Sequence, residues 1–289
     1  MTAVEHRRIA IDAVDGPLDV HLAEAGNGPP LLLLHGWPQH ADVWRKLVPL
    51  LAQDFRLLMP DLRGFGSTAV PAGGYDPARF ADDAVALLDA LGIDRAGVIG
   101  HDWGGFAAYL LGLRHPGRVT GLVVCNAPHP WAQPEPRGLL ELWRLWYVLL
   151  VASPAGPRAV ASRRFIPWFL RLGGRGHVFD DEQAERYAAP LREPARARAS
   201  QRLYRHYVKA VKDVFVRGEH RGRRLTVPAR AVFGAEDFYI AVANTLHGER
   251  HADDWSLRLL EGVGHWTPEE RPDAVAEAAR ELFSPAAAR

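Results

Sequence analysis

Three polar side chains follow short apolar runs of the sequence, and their types could perform nucleophilic catalysis. Asp102 stands in the glycine-rich stretch Gly100–Gly105 (GHDWGG), directly after the run Ala96–Gly100. Asp237 follows a second apolar run within GAED, and His265 follows a third within GVGHW. Ligands of open α/β sheets bind beyond the carboxyl ends of the strands, where such residues meet. We therefore predict that the three form a nucleophile, an acid and a base.

The acid has a local alternative in Glu236, which directly precedes Asp237. Asp237 is preferred because it takes the fourth position of a G-x-x-D pattern, and the stretch before His265 is long enough for a helix and a strand. For Asp102 alone, a turn-forming aspartate is the other interpretation. The catalytic interpretation is favoured because four motifs stand in the right order at successive strand ends: the three above and HGWP at His35–Pro38, which follows the run Pro30–Leu34.

An aspartate nucleophile implies a particular class of substrate. A serine attacks a carbonyl group, whereas a carboxylate can attack a saturated carbon and form an alkyl ester on the enzyme. Epoxides and alkyl halides provide such a carbon. Water activated by His265 would then hydrolyse the ester, while Asp237 would accept the other imidazole N–H and stabilise the imidazolium.

The elements that must position these residues alternate between strands and helices. Several apolar runs show little alternation, as is typical of strands buried on both faces. The helical patterns between them include Pro77–Leu91, which ends before Gly92, and Trp103–His115, which ends at Pro116. This rhythm predicts an α/β fold with a mostly parallel sheet flanked by helices. The predicted parallel strands are Pro30–Leu34, Arg56–Met59, Ala96–Gly100, Gly121–Cys125, Ala229–Phe233 and Leu257–Leu260, with Ile9–Ile11 and Leu18–Leu22 as an antiparallel edge.

The strand rhythm stops after Cys125 and resumes near Val227, which predicts an inserted helical cap. We expect residues 1–128 and 223–289 to form the core, and residues 129–222 to form the cap (lid). Two apolar helix faces are predicted in the cap. One comprises Leu139, Trp143, Trp146 and Leu150; the other comprises Leu203, Tyr207 and Val211, with Tyr204 and Val208 beside them.

From about residue 5 to residue 285 the chain resembles the α/β-hydrolase superfamily, whose triad has the same chain order. Within it, GHDWGG and the HGWP motif at His35–Pro38 resemble epoxide hydrolases and haloalkane dehalogenases, which use an aspartate nucleophile. The resemblance implies an oxyanion hole formed by the backbone N–H groups of Trp37 and Trp103. It also implies a cis peptide bond before Pro38, a structural role for His35, and no metal or organic cofactor.

Epoxide hydrolases of this fold resemble one another in having two cap tyrosines that protonate the epoxide oxygen. Tyr147, seven residues before Pro154, looks like the first, although Val151-Ala152 replaces the usual aromatic-Gln pair. Tyr204, which precedes an arginine, is similar to the second. Tyr147 and Tyr204 could each instead pack a helix face, and Tyr207 and Tyr187 are the alternative candidates. The sequence thus predicts an epoxide hydrolase that forms a vicinal diol.

Two other functions stay open at this stage. In a haloalkane dehalogenase, the indole of Trp103 could bind the released halide, but many such enzymes have asparagine in place of Trp37 and lack the paired tyrosines. Fluoroacetate dehalogenases resemble this fold but carry arginine, rather than tryptophan, after the nucleophile. A non-catalytic ligand-binding protein is the third alternative.

Composition limits the partners of the protein. The net charge is +1 and Cys125 is the single cysteine, so neither nucleic-acid binding nor an internal disulfide is expected. The first residues show no apolar core of signal-peptide length and no apolar run reaches membrane-spanning length, so we expect a soluble cytoplasmic monomer or homodimer. The basic segment Arg158–Arg224 is interpreted as solvated helix faces, or alternatively as a surface for anionic lipid or an acidic partner. The predicted substrates are water and a small apolar epoxide, in a pocket formed by Trp37, Trp103, Phe238 and Trp266.

Overall fold

The computed structural model describes residues 3–132, 143–176, 178–211 and 218–284. Its described residues contain one eight-stranded sheet in the order β1-β2-β4-β3-β5-β6-β7-β8. The strands are Glu5–Ala13 (β1), Gly16–Ala25 (β2), Pro30–Leu34 (β3), Arg56–Pro60 (β4), Ala96–His101 (β5), Val119–Cys125 (β6), Ala229–Gly234 (β7) and Trp255–Leu260 (β8).

The strand pairing confirms the α/β prediction. The pairs formed by β1 with β2 and by β2 with β4 are antiparallel, and every pair from β4 to β8 is parallel. The carboxyl ends of β3, β5, β6, β7 and β8 therefore lie along one edge of the sheet. The antiparallel edge predicted from Ile9–Ile11 and Leu18–Leu22 is also present.

Helices cover both faces of the sheet. They are Val48–Leu51 (α1), Pro77–Ala90 (α2), Trp103–Arg114 (α3), Trp146–Ala152 (α4), Gly156–Val160 (α5), Phe165–Gly173 (α6), Asp181–Ala188 (α7), Pro194–Val211 (α8), Thr267–Glu270 (α9) and Pro272–Phe283 (α10). Helix α2 begins where its N-cap Asp76 accepts the backbone N–H of Arg79 at 2.9 Å, and it ends just before Gly92, whose φ of 66° cannot continue a helix.

Alternate residues of the central strand β3 enter two separate apolar cores. Leu32 and Leu34 pack in the core that includes Phe80 of α2. Leu31 and Leu33 pack in the core that includes Val275 of α10. A strand buried on both faces takes apolar residues at successive positions, which explains why its sequence shows no alternation.

Helices α4–α8 follow one another between β6 and β7, and we call this segment the cap. Within the cap, Leu203 and Tyr204 are buried as predicted, whereas Val208 is 42% exposed. Trp143 precedes α4 and is 56% exposed, so it does not share a buried face with Trp146. Leu139 and the side chain of Val211 lie outside the described residues.

Local ion pairs balance part of the basic charge of the segment Arg158–Arg224. Its arginines contact carboxylates of the cap itself and of the neighbouring core, which favours the interpretation of solvated, paired surfaces. The pairs are Arg171–Asp181, Arg175–Glu236, Arg186–Asp42, Arg192–Glu185, Arg196–Glu193 and Arg224–Asp253.

Candidate active site

Asp102 occupies a tight turn between β5 and α3. Its backbone has φ 50° and ψ −118°, in a region that L-residues rarely adopt. Glycines permit the turn, because a Cβ at Gly100 would collide with the main chain at Gly104, and one at Gly104 would collide with the carbonyl oxygen of Leu34. The strand–turn–helix geometry is that of a nucleophile elbow, which presents its side chain at the end of the sheet.

The carboxylate of Asp102 lies against the HGWP loop. The backbone N–H of Trp37 donates to Oδ2 of Asp102 at 2.9 Å, and the loop can approach this closely because a Cβ on Gly36 would overlap the aspartate side chain. Burial raises the pKa of Asp102 to about 6, although His265 and the N–H groups of Trp103 and Trp37 act in the opposite direction. Asp102 is therefore mostly ionised at neutral pH.

The HGWP loop also matches two expectations about its shape. The Trp37–Pro38 peptide bond is cis. His35 is buried, accepts the backbone N–H of Leu62 at Nε2 over 2.8 Å, and contacts the carbonyl oxygen of Gly36 through Nδ1 at 3.0 Å. With both ring nitrogens engaged and burial lowering its pKa to about 4, His35 holds the loop as a neutral ring.

His265 lies between the two aspartates. Its Nδ1 is 2.8 Å from Oδ2 of Asp237, and its Nε2 is 3.9 Å from Oδ1 of Asp102. Burial alone would lower the pKa of His265, but the charge and hydrogen bond of Asp237 outweigh it, and the net shift is upward. In the neutral ring, the bond to Asp237 places the proton on Nδ1 and leaves the lone pair of Nε2 facing Asp102.

Asp237 is held by four hydrogen bonds. Its Oδ1 accepts the backbone N–H groups of Tyr239 at 2.7 Å and Ile240 at 2.9 Å, while Oδ2 contacts His265 and accepts Nδ2 of Asn126 at 2.8 Å. Burial would raise the pKa of this carboxyl, but His265 and these donors lower it overall. The alternative acid, Glu236, is instead exposed and pairs with Arg175.

Two residues that support the catalytic groups, Asn126 and His101, were not identified from the sequence. Asn126 follows β6 with a φ of 43°, and its amide also donates to the carbonyl oxygen of Gly264 at 3.2 Å. His101, the second residue of GHDWGG, is buried with Nε2 2.9 Å from the carbonyl oxygen of His265. Asparagine tolerates positive φ, so Asn126 at the end of a predicted strand was the available signal. Nothing in the sequence pattern distinguished His101.

Tyr147 of α4 and Tyr204 of α8 come together near Asp102. Their rings pack edge-on, with centroids 5.7 Å apart. Burial raises the pKa of both tyrosines well above its ordinary value, and the negative charge of Asp102 adds to this rise. Both hydroxyls are therefore protonated at neutral pH and can donate to an oxygen near the nucleophile.

The alternative tyrosines are placed differently. Tyr187 donates its hydroxyl to Glu269 at 2.6 Å, in a buried contact between α7 and α9. Tyr207 lies one helical turn after Tyr204 and packs edge-on against Trp103 with 5.4 Å between ring centroids. Burial raises the pKa of Tyr207 to about 12, with a smaller contribution from Asp102. Tyr207 therefore belongs to the same site, whereas Tyr187 joins the cap to the core.

Aromatic rings surround the two cap tyrosines. The rings of Trp37 and Trp103 pack edge-on against Tyr204, with centroids 5.0 Å and 5.6 Å away. The indole N–H of Trp37 donates to Ser200 at 2.9 Å, and that of Trp103 to the hydroxyl of Tyr204 at 3.5 Å. Phe169 of α6 packs on Trp37 and Tyr147.

The other two predicted pocket residues lie further out. Phe238 is half-buried between Trp143 and Tyr239. Trp266 is fully buried beside His265 and donates its indole N–H to the carbonyl oxygen of Leu170 at 2.7 Å. A substrate contact for Phe238 and Trp266 remains a prediction.

The described residues contain neither a cluster of metal-binding side chains nor a membrane-spanning helix. No three His, Cys, Asp or Glu side chains in this part of the chain are grouped so that they could hold a metal ion. None of the described helices combines the length and the apolar character needed to cross a membrane.

Known proteins share both the sequence and the fold. Residues 29–147 match the model of the alpha/beta hydrolase fold family. The fluoroacetate dehalogenase of a Burkholderia species is 30% identical, and the match covers 94% of this chain and 92% of that protein. The soluble epoxide hydrolase of Corynebacterium sp. strain C12 is 29% identical, and the match covers 92% of this chain and 94% of that protein. The solved structure of the epoxide hydrolase CorEH superposes with a TM-score of 0.83 at 26% identity, covering 98% of this chain and all of that one. The chain therefore belongs to the α/β-hydrolase superfamily, is a hydrolase, and is related to both epoxide hydrolases and dehalogenases.

Proposed function

We propose that the protein is an epoxide hydrolase that converts an epoxide to a vicinal diol through a covalent ester on Asp102. The observation that carries this proposal is the pair Tyr147 and Tyr204. Both are protonated, their rings pack against each other, and the charge of Asp102 contributes to the raised pKa of each. Opening an epoxide generates an alkoxide, which needs a proton donor beside the nucleophile.

In the first step, Oδ1 of Asp102 attacks a ring carbon of the epoxide. The C–O bond to that carbon breaks, and its electron pair stays on the epoxide oxygen, which takes a proton from Tyr147 or Tyr204. Meanwhile Oδ2 stays hydrogen-bonded to the N–H of Trp37. The product of this step is an alkyl ester of Asp102 that carries a new hydroxyl group.

In the second step, Nε2 of His265 removes a proton from water, and the resulting hydroxide attacks the ester carbonyl carbon. The backbone N–H groups of Trp37 and Trp103 stabilise the oxyanion. The alkyl oxygen then leaves with the proton from His265, which releases the diol and leaves Asp102 as a carboxylic acid. Transfer of that proton to the tyrosinate formed in the first step, directly or through water, restores both the carboxylate and the tyrosine. Asp237 supports the transient imidazolium through the 2.8 Å contact with Nδ1.

Dehalogenation is the second candidate, because one relative at 30% identity is a fluoroacetate dehalogenase. The same triad would displace a halide. Two observations favour the epoxide instead. The indole N–H groups of Trp37 and Trp103, which could stabilise a halide, already donate to Ser200 and Tyr204. Residue 103 is also tryptophan rather than the arginine that fluoroacetate dehalogenases carry there.

A trapping experiment separates the candidates. The His265→Gln variant is exposed to styrene oxide and a bromoalkane together, and its intact mass is recorded. The ester should form without being hydrolysed. A mass gain equal to the whole epoxide supports ring opening, whereas a gain of the alkyl group with release of bromide supports dehalogenation. The double variant with Asp102→Ala should gain no mass, and an adduct on it would contradict Asp102 as the nucleophile.

The proposal also includes the domain bounds, the cellular location and the kind of substrate. We propose that residues 1–128 and 223–289 act as the catalytic core and residues 129–222 as the cap, in a cytoplasmic enzyme. The aromatic surroundings of Tyr147 and Tyr204 suit a small apolar epoxide.

A further inference from the structure

The loop that carries His265 is held by the cap as well as by the core. The backbone N–H of His265 donates to the carbonyl oxygen of Gly173, at the end of α6, over 2.8 Å. The neighbouring indole N–H of Trp266 donates to Leu170 in the same helix. The two main chains are in direct contact, since a Cβ on Gly264 would overlap the carbonyl oxygen of Gly173. The catalytic base is thus mounted on a backbone that touches the cap.

Glu270, at the end of α9, closes this contact with three hydrogen bonds. Its Oε2 accepts the backbone N–H groups of Gly264 at 2.8 Å and Arg175 at 3.1 Å, and Oε1 accepts the N–H of Trp266 at 3.0 Å. Gly264 and Trp266 are the two residues on either side of His265, and Arg175 follows the cap helix α6. One carboxylate therefore binds the catalytic loop on both sides of its histidine and, at the same time, the cap.

We propose that Glu270 is a positioning residue that couples the end of cap helix α6 to the orientation of His265, and thereby controls hydrolysis of the alkyl-enzyme ester. Glu270 makes no contact with Asp102 or with the cap tyrosines among its described hydrogen bonds, so the first step, ester formation, is independent of it. The proposal deepens the proposed function and rests on it for its kinetic test.

The chain offers a matched control in the preceding residue. Glu269 is also buried against the cap, where it binds Tyr187 of α7 together with Arg45 and Lys46 of the core. Unlike Glu270, Glu269 holds no N–H group next to His265. Glu269→Gln therefore disturbs cap docking without disturbing the backbone of the catalytic loop.

The test compares Glu270→Gln with Glu269→Gln and wild type in two single-turnover steps, formation and decay of the ester, followed by intact mass with styrene oxide. Glutamine has one acceptor oxygen and cannot accept all three N–H groups. For Glu270→Gln we expect ester formation within about twofold of wild type and decay slowed about tenfold or more, because small displacements of a catalytic group are costly. Equal slowing in Glu269→Gln, or unchanged decay in Glu270→Gln, would overturn the proposal.

A second readout needs no substrate. The charged groups around His265 are Asp102, Asp237 and Glu270, and each raises the pKa of its imidazole. NMR titration should find a lower pKa for His265 in Glu270→Gln and an unchanged one in Glu269→Gln. If wild type forms no ester with epoxide or bromoalkane, the proposed function fails, while an unchanged His265 pKa in Glu270→Gln contradicts the coupling by itself.

A third variant covers a failure of Glu270→Gln to fold. Glu270→Asp keeps the charge but is one methylene shorter, so it cannot reach Gly264 and Arg175 together. Slow ester decay with a nearly unchanged His265 pKa is the expected result. Wild-type decay in Glu270→Asp would show that reach does not matter and would overturn the proposal.

Discussion

The edge of the sheet and the cap hold their functional groups in different ways. At the sheet edge, Asp102 and Asp237 are fixed by backbone N–H groups at 2.7–2.9 Å, on loops that follow β5 and β7. In the cap, Tyr147 and Tyr204 are fixed mainly by aromatic packing, on helices α4 and α8. Backbone donors stabilise charge, whereas a ring cluster excludes water and keeps phenols neutral.

This difference assigns each region its own part of the proposed reaction. The sheet edge contributes the charged nucleophile, the base that becomes charged when it takes a proton from water, and the carboxylate that stabilises this charge. The cap contributes neutral donors that act on the leaving oxygen. Substitutions at the sheet edge should therefore affect every substrate, and substitutions in the cap should affect only those substrates that release an alkoxide.

Loss of the nucleophile should have the largest effect. We expect Asp102→Ala to lower turnover of any epoxide or bromoalkane by about 10⁴-fold or more, because no other group in the site can form the ester. Steady-state assays with both substrates measure this, with circular dichroism to verify folding. Residual turnover above one hundredth of wild type would contradict the covalent mechanism.

Removal of a cap hydroxyl tests the other side of the comparison. Tyr147→Phe and Tyr204→Phe should each lower kcat/KM for an epoxide by about 10²-fold, as expected for loss of a general acid, and leave any turnover of a bromoalkane nearly unchanged.

Tyr187→Phe is the matched control for the two cap tyrosines, because its hydroxyl is buried but bonded to Glu269. It should keep its activity and lose about 1 kcal/mol in free energy of unfolding. Equal losses of activity in all three phenylalanine variants would mean that the tyrosines act only through packing of the cap.

Lowering the pH should protonate the catalytic groups at the sheet edge while the cap tyrosines keep their protonation state. Burial raises the pKa of Asp102 to about 6, so the attacking carboxylate becomes protonated at a higher pH than an ordinary aspartate. His265, whose pKa is also raised, must be neutral to act as base. We expect kcat/KM, which reports attack by Asp102, to fall about tenfold per pH unit below pH ~6, and kcat, which includes hydrolysis by His265, to begin falling at a higher pH. A pH profile of wild type that stays flat down to pH 4 would contradict this assignment.

Asn126 should give the smallest effect, because Asp237 keeps two backbone donors without it. Asn126→Ala removes one hydrogen bond from Asp237 and places alanine at a φ of 43°. We expect ester decay to slow roughly three- to tenfold and the free energy of unfolding to fall by about 1–2 kcal/mol. Unchanged decay, measured by single turnover, would limit Asn126 to a structural role.

The sequence was informative where one local property decides the structure. Apolar runs located the parallel strands to within about two residues, because a strand such as β5 is buried on both faces. The order of the motifs then brought Asp102, Asp237 and His265 to one edge of the sheet. In the structure, His265 is within hydrogen-bonding distance of Asp237, at 2.8 Å, and its other ring nitrogen is 3.9 Å from Asp102.

The sequence was less informative where the outcome depends on distant packing. The sequence left Tyr187 and Tyr207 as alternatives to Tyr204, and only the docking of α7 and α8 separates the one bonded to Glu269 from those near Asp102. Trp143 was expected on a buried face but is 56% exposed. The role of His101 depends on how β5 meets the loop of His265, which no local pattern encodes.

The elbow at Asp102 has an evolutionary consequence. Its backbone is made possible by the missing side chains of Gly100 and Gly104, whereas the chemistry is carried by the side chain of the residue between them. The scaffold thus separates how a nucleophile is displayed from which nucleophile is displayed. A single codon change at this position can alter the bond that is attacked while the surrounding turn stays as it is, so new chemistry can arise here without a new fold.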